Sequence, residues 1–297
     1  MLAAAYRVRL ATDWTAGDQA LLIALHARRS AASIAAWRAA HPQRPLLLVL
    51  TGTDLYRDIQ HDASAQRSMQ LADALVVLNA LGAQALPAAL RAKCQVLLQS
   101  SSALQPLAHK PAGHLRALMV GHLRDEKDPL TYLRAARRLA HRSDIRLDHI
   151  GAALDAGLGA QAVALAATQP SYRWLGGLPH AATRQRIQAA HVLVHASRME
   201  GGAHVVTEAL RSGTPVLASR IDGNLGLLGD DWPALFDVGD DAALATLLQR
   251  CRDDAAMLPA LCQRAAQRAP LFSPEAEAAT LHTLVAALLA RTDTQEP

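Results

Sequence analysis

The chain has 297 residues and a formal net charge of +4; 51% of it is hydrophobic, yet aromatic residues make up only 3%. That length allows two domains, and a high apolar fraction with balanced charge excludes dominant disorder and collagen-like or low-complexity chains. The positive charge is spread along the chain as Arg, with Lys only at Lys93, Lys110 and Lys127, so no clustered patch points to nucleic acid. The three cysteines, Cys94, Cys251 and Cys262, are too scattered for a disulfide framework or a zinc cluster. A reduced, cytoplasmic compartment is therefore expected. No apolar run reaches the ~18 residues of a membrane span, and no signal-peptide pattern opens the chain. No dimer signal is legible.

In chain order, short apolar runs predict strands at residues 6–11, 20–25, 46–50, 74–78 and 95–99. A second series follows at 115–120, 145–150, 172–175, 191–196 and 215–219. Near-continuous hydrophobic runs of this length are what strands buried on both faces look like. Stretches of helical periodicity lie between them, at 28–40, 62–72, 80–90, 129–141, 157–168, 180–190 and 203–212. Such alternation predicts parallel α/β layers. Residues 100–114 (SSSALQPLAHKPAGH) have no period and read as a linker. A last helix is expected from Ser273-Pro274-Glu275 to about Arg291, with a frayed tail at residues 292–297. The resulting division is 1–108 for a first doubly wound domain, 109–270 for a second, and 271–297 for a C-terminal helix packing back on the first. Residues 1–5 read as the last turn of a helix that lacks its beginning. The first domain is accordingly expected to lack a first strand, with either an upstream start that supplies it or a damaged first domain as the expectation.

In doubly wound sheets ligands bind outside the carboxyl ends of the strands, so chemistry is sought there. The segment 197–219 (SRMEGGAHVVTEALRSGTPVLAS) follows a strand, carries Glu200 and Glu208, and places Gly201 and Gly202 before a helix. A strand, a glycine turn and a helix start suit an anion, because free N–H groups and the helix dipole point at it. Glu208, inside the helix, suits the vicinal hydroxyls of a ribose; an ordinary helix cap with two surface glutamates is the competing reading. Gly213 is expected to stop that helix. The segment 119–129 (MVGHLRDEKDP) brings His122, Arg124 and Lys127 to a strand end. The segment 49–59 (VLTGTDLYRDI) offers Thr51, Gly52, Asp54 and Arg57. Asp54 reads as a base, as a residue that orients a hydroxyl, or as a helix cap. His26, Arg28 and Arg29 follow the strand before it, where two Arg either suit a phosphate or face solvent. Asn224, between Gly223 and Gly226, reads as a close backbone approach to a ligand or as a plain turn. His191 and His195 lie in an alternating apolar strand, so a metal pair is not expected there. No P-loop, H-E-x-x-H or G-x-S-x-G pattern is present.

The 197–219 segment resembles the E-x7-E motif of the family-4 glycosyltransferases, which have the GT-B fold: two Rossmann-like parallel-sheet domains facing across a cleft. The resemblance implies that Glu200 lies by the transferred sugar, that Glu208 holds the nucleotide ribose, and that Gly201 and Gly202 support sugar and diphosphate. The usual E-G-F-G reads here Glu200-Gly201-Gly202-Ala203. Lys127 matches the Lys of the family's G-R-x-x-x-x-K pattern, while His122 stands at the Arg position and Arg124 two residues on. Glu200, Lys127 and Asp54 are the catalytic candidates. His122, Arg124, Lys127, Gly201, Gly202, Glu208 and Asn224 are the donor-binding candidates. His26, Arg28, Arg29, Thr51, Gly52 and Arg57 are the acceptor-binding candidates. The strings HARRSAASI, LTGTDLYRDI, G-H-L-R-x-x-K-D-P, SRMEGGAHVVTEAL and SRIDGNLGLLGDD together are similar to the narrower family of selenosugar synthases of selenoneine biosynthesis. That resemblance implies transfer of a sugar from a UDP-sugar to selenophosphate. The UDP-sugar is then a co-substrate, the acceptor a small anion, and no metal or other cofactor is expected. Two alternatives stay open: transfer to a hydroxyl acceptor, and a non-catalytic protein that binds a nucleotide sugar.

Overall fold

The structure, a computed structural model, describes residues 1–293 and the side chains through residue 290, so the expected tail lies from residue 294 on outside the described residues. The chain forms two compact units. The first comprises Met1–Ser100, the turn Glu200–Gly202, and the C-terminal helix from Pro274 onward. The second comprises Ser101–Met199 and Ala203–Ser273. Residues 101–108, read above with the linker, belong by their contacts to the second unit: the Leu104 amide donates to the Arg211 carbonyl at 3.0 Å.

The first unit is built from β1 (Leu22–Leu25), α1 (Ala31–Ala40), β2 (Leu46–Leu50), α2 (Ile59–His61), α3 (Ala63–Leu71), β3 (Ala74–Val77), α4 (Ala88–Arg91) and β4 (Cys94–Val96). Its four strands are parallel and lie in sequential order β1-β2-β3-β4. Strand β2 is LLLVL and is buried throughout, because both of its faces are covered. Leu46, Leu48 and Leu50 pack with Ile34 and Trp37 of α1, while Leu47 and Val49 point to the other face. There they meet Leu284 and Leu288 of the C-terminal helix. The two-residue alternation of side chains thus assigns one leucine set to each layer.

Residues 6–11 do not form the expected strand. The alternation Tyr6-Arg7-Val8-Arg9-Leu10 has strand period, but a strand needs a paired edge, and this segment joins neither sheet; Leu10 is left 93% exposed. The helix expected over 80–90 is also broken, into a turn at Gly82–Ala85 and the short α4. Pro87 forces Leu86 into an extended conformation (ψ 148°), so the helix cannot run through it.

The second unit contains β5 (Leu115–Val120), α5 (Pro129–Arg138), β6 (Ile145–Ile150), α6 (Ala156–Thr168), β7 (Tyr172–Trp174), α7 (His180–Ala189), β8 (Val192–His195), α8 (His204–Leu210), β9 (Val216–Ser219), α9 (Asp222–Leu228), β10 (Leu235–Phe236), α10 (Asp241–Asp253) and α11 (Met257–Arg268). The last helix of the chain, α12 (Pro274–Asp293), starts on its proline and returns to the first unit. The second sheet is parallel, in the order β10-β9-β8-β5-β6-β7. This is the doubly wound arrangement in which the strand order reverses at the middle, between β5 and β8. Helix α9 replaces the glycine turn expected near Asn224. Helices α10 and α11 and the short β10 were not among the elements read from sequence. Among the described residues no helix is long and apolar enough to cross a membrane.

Candidate active site

The reversal between β5 and β8 leaves a crevice beyond the carboxyl ends of those two strands. The loops that leave β5 and β8 carry most of the donor-side candidates. After β5, Gly121 leads through His122 and Arg124 to Lys127, and Asp128 caps α5 in a left-handed conformation (φ 45°). A non-glycine residue holds that conformation only when its surroundings over-determine it. Asp128 is 2% exposed, accepts from Thr131 Oγ1 at 2.7 Å and from Arg198 Nη2 at 3.2 Å, and precedes Pro129 at the first helical position. The buried aspartate therefore sets the direction of its neighbour Lys127. Arg124 is half-exposed, and its guanidinium lies 3.9 Å from Glu126. His122 Nδ1 accepts from the Ala152 amide at 3.1 Å, which ties this loop to the end of β6.

A buried histidine supports the start of the same loop. His149 on β6 meets the Gly121 carbonyl through Nε2 at 3.2 Å and the Tyr172 hydroxyl through Nδ1 at 3.2 Å. A carbonyl only accepts, so Nε2 carries the hydrogen and Nδ1 accepts from Tyr172. Burial pushes the His149 imidazole down to about 4, so the ring is neutral at pH 7.

Glu208 lies on α8 and is 4% exposed. Its Oε1 is 2.5 Å from His180 Nε2, 3.3 Å from His204 Nδ1 and 3.9 Å from Arg184 Nη1. Burial raises the carboxyl, but the hydrogen bonds from His204 and His180 and the charge of Arg184 outweigh it and hold it below the ordinary glutamate value. Arg184 is itself fixed, donating to Ser101 Oγ at 2.5 Å and to the Ser102 carbonyl at 2.6 Å. Helix α8 ends as expected at Gly213, which is left-handed (φ 69°); a Cβ there would come within 2.6 Å of Pro106.

Asn224 corrects one expectation. It is fully buried; its amide donates to the Ser219 carbonyl at 2.9 Å and Oγ at 3.1 Å, and its Oδ1 lies 2.8 Å from His195 Nδ1. With its side-chain polar atoms engaged inside the unit, Asn224 braces the β9–α9 connection, and its side chain is not available to a ligand.

The acceptor-side candidates gather at the carboxyl ends of β1 and β2. His26 is left-handed (φ 73°) and 6% exposed. Its Nδ1 accepts from the Arg29 amide at 3.3 Å, which leaves the hydrogen on Nε2, 3.1 Å from Thr53 Oγ1. Arg28 and Arg57 both donate through Nε to the buried Asp58, at 3.0 and 3.1 Å. Arg29 is exposed beside them.

Asp54 corrects a second expectation. Its carboxylate is fully buried and accepts from the amides of Ala27 (2.9 Å), Thr51 (2.8 Å) and Gly52 (2.9 Å), and from Thr51 Oγ1 (3.2 Å). Both oxygens are occupied, so Asp54 organises the two strand-end loops and is not presented as a base. The glycine turn is likewise explained by close approach. Within the first unit, a Cβ on Gly201 would lie 2.1 Å from the Thr51 carbonyl oxygen, and one on Gly52 would lie 2.7 Å from the Gly201 nitrogen. Asn79, fully buried, donates to the Gly201 carbonyl at 2.7 Å. Gly202 lies against Leu78 and Gln99.

The sequence pattern shared by the glycosyl transferases of group 1 matches residues 105–270. The chain belongs to that family. The matched stretch contains the reversal point of the second sheet and the loops of Lys127 and Glu208. No curated protein matches the chain. Solved structures are similar in fold. TarM of S. aureus, solved as a point mutant with fondaparinux, alpha-GlcNAc-glycerol and UDP, superposes with a TM-score of 0.72 at 11% identity, over 89% of this chain and 55% of TarM. The sucrose-phosphate synthase of Thermosynechococcus elongatus gives 0.70 at 20% identity, over 91% and 74%. HepE of Anabaena, solved with UDP and glucose, gives 0.71 at 17% identity, over 90% and 77%. This chain thus spans little more than half the length of TarM, and about three quarters of the other two. These likenesses agree with the GT-B arrangement of two parallel-sheet units.

Several residues at the site were not singled out from sequence. Asp58 is visible only once its two arginine partners are in place. Asp128 had a signal, an Asp-Pro pair opening a helix. His180 and Arg184 lie in the first turns of α7, just after the Gly176-Gly177 strand end.

Proposed function

We propose that the protein transfers a glycosyl group from a UDP-sugar to selenophosphate. The observation that carries the donor half is the reversal of strand order between β5 and β8, with the Lys127 loop leaving one strand and the segment leading to Glu208 leaving the other. In this reading Glu208 accepts hydrogen bonds from the ribose, and Lys127 and Arg124 face the diphosphate. As the bond from the anomeric carbon to the diphosphate oxygen breaks, negative charge grows on UDP. Cations aimed at that oxygen stabilise the transition state more than the ground state. Glu200 lies next to the transferred sugar. The C–O bond pair leaves with UDP, and a selenium lone pair of selenophosphate forms the new C–Se bond.

The acceptor half rests on the sequence strings around His26 and Thr51, and one structural feature supports it. With both Asp54 oxygens occupied by backbone and Thr51 donors, the first unit does not offer this carboxylate as a base. A hydroxyl acceptor needs a base, whereas an anionic, soft nucleophile does not. Arg28 and Arg57, held in place by Asp58, then serve to bind the anion. Incubation with UDP-glucose or UDP-GlcNAc and selenophosphate, followed by mass spectrometry, tests this reading. A sugar product with the selenium isotope pattern and stoichiometric UDP supports it. UDP release only with hydroxyl acceptors would replace selenophosphate by such an acceptor. UDP binding without turnover under any of these conditions would leave a nucleotide-sugar-binding protein.

A further inference from the structure

The Glu208 carboxylate is used unevenly. His180, His204 and Arg184 all converge on Oε1, while Oε2 takes no hydrogen bond among the described residues. A carboxylate expected to hold both hydroxyls of a ribose therefore has one oxygen to give. The residue beside it is not buried: the His180 side chain is 72% exposed, against 5% for Glu208. A carboxylate only accepts, so the nitrogen of His180 that faces it, Nε2, carries the hydrogen. The other nitrogen, Nδ1, has no partner among the described residues. Two acceptors are thus carried by hydrogen-bonded neighbours at the start of α7 and in α8: Oε2 of Glu208 and Nδ1 of His180. Vicinal hydroxyls are a pair of donors.

From this we infer that His180 reads the ribose together with Glu208. One ribose hydroxyl donates to Oε2 of Glu208 and its neighbour donates to the imidazole of His180. His204, one turn before Glu208 on α8, and Arg184 are positioning residues that hold Oε1 in place. The inference rests on the assignment of Glu208 to the ribose in the proposed function. It adds a specificity-determining residue on a different helix, and it divides the two hydroxyls between two side chains.

The test is calorimetric titration of the full chain with UDP, 2′-deoxy-UDP and 3′-deoxy-UDP, in the wild type and in His180→Ala and His180→Gln. In the wild type each missing hydroxyl is expected to weaken binding about three- to tenfold, the worth of one hydrogen bond. His180→Ala is expected to weaken UDP by a similar factor and to abolish the penalty for one of the two deoxy analogues while keeping the other. A purely structural role for His180 would lower all three affinities in parallel. His180→Gln restores an acceptor at that place and is expected to recover part of the lost discrimination. Unchanged penalties for both analogues in His180→Ala overturn the role of His180 while leaving the nucleotide assignment standing. A folded wild-type chain that binds no UDP overturns that assignment, and the inference with it.

Discussion

Single side chains decide what each strand-end loop does. Lys127 projects from a loop whose direction is set by the left-handed Asp128 and its bonds to Thr131 and Arg198. Its proposed task lies in the transition state, where the diphosphate gains charge. Lys127→Ala is therefore expected to lower kcat about a hundredfold or more. Uridine, which has no phosphates, is expected to bind the variant as it binds the wild type. Turnover of a UDP-sugar and a uridine titration check the two halves separately. Asp54 makes the opposite case. Removing its carboxylate strands three backbone amides and a threonine hydroxyl in the interior. Asp54→Ala is expected to cost about 2–4 kcal/mol of stability, because buried donors lose their acceptor. Urea unfolding measures this. A loss of turnover with full stability would instead restore Asp54 as a base.

At the scale of elements, the strands were the most legible part of the sequence. Runs such as LLLVL and VLVH are apolar at nearly every position because both faces of a parallel sheet are covered. The same criterion misled at residues 6–11, where arginines alternate with apolar residues and no sheet edge receives the segment. Helix α9 was hidden by Gly223 and Gly226, which usually punctuate turns. It holds because Asn224 is locked from within by Ser219 and His195. The site shows the same division. Glu208 and Lys127 stand in spaced motifs and could be singled out as candidates, whereas His180, Asp58 and Asn79 come into view only through partners distant in sequence. Gly201 was readable as a glycine, but its reason is packing. A Cβ there would stand 2.1 Å from the Thr51 carbonyl oxygen. Gly201→Ala must push the turn off that backbone, an overpacking that typically costs about 1–3 kcal/mol. A lower unfolding midpoint with a displaced Glu200 and reduced kcat is the expected outcome. Gly213→Ala, at φ 69° and against Pro106, is expected to lower stability by about 1 kcal/mol or more and to leave the site in place.

For the whole molecule, the distribution of titrating groups ties stability to pH through the second unit. Burial lowers His149 to about 4, and burial together with the nearby Lys110 charge lowers His191 to about 4. His114 is lowered too, by burial and by Arg146, Arg116 and Arg252 around it. In each case the unfolded chain takes up a proton near the ordinary histidine value of ~6.5, while the folded chain refuses it until pH 4 or so for His149 and His191. Between those two values the unfolded state binds more protons, so stability falls as the pH falls through this window and is fully present above it. His149 is completely buried, and its share is of the order of 3 kcal/mol. The carboxylates act in a lower range. Hydrogen bonds from Arg142 and Arg252 hold Asp144 below the ordinary aspartate value, so its contribution is lost only as the pH drops below that value. Denaturant unfolding at pH 7.5, 6 and 5 should therefore show a decline that precedes carboxylate protonation. His149→Gln carries an amide at the reach of the histidine Nε2, so it keeps a donor for the Gly121 carbonyl, and it has no proton to gain. This variant is expected to be less stable than the wild type at pH 7.5 and to lose clearly less stability between pH 7.5 and pH 5. An equal loss in both proteins would mean that the decline arises elsewhere, and that the neutral histidine beneath the Lys127 loop is not what makes the second unit acid-sensitive.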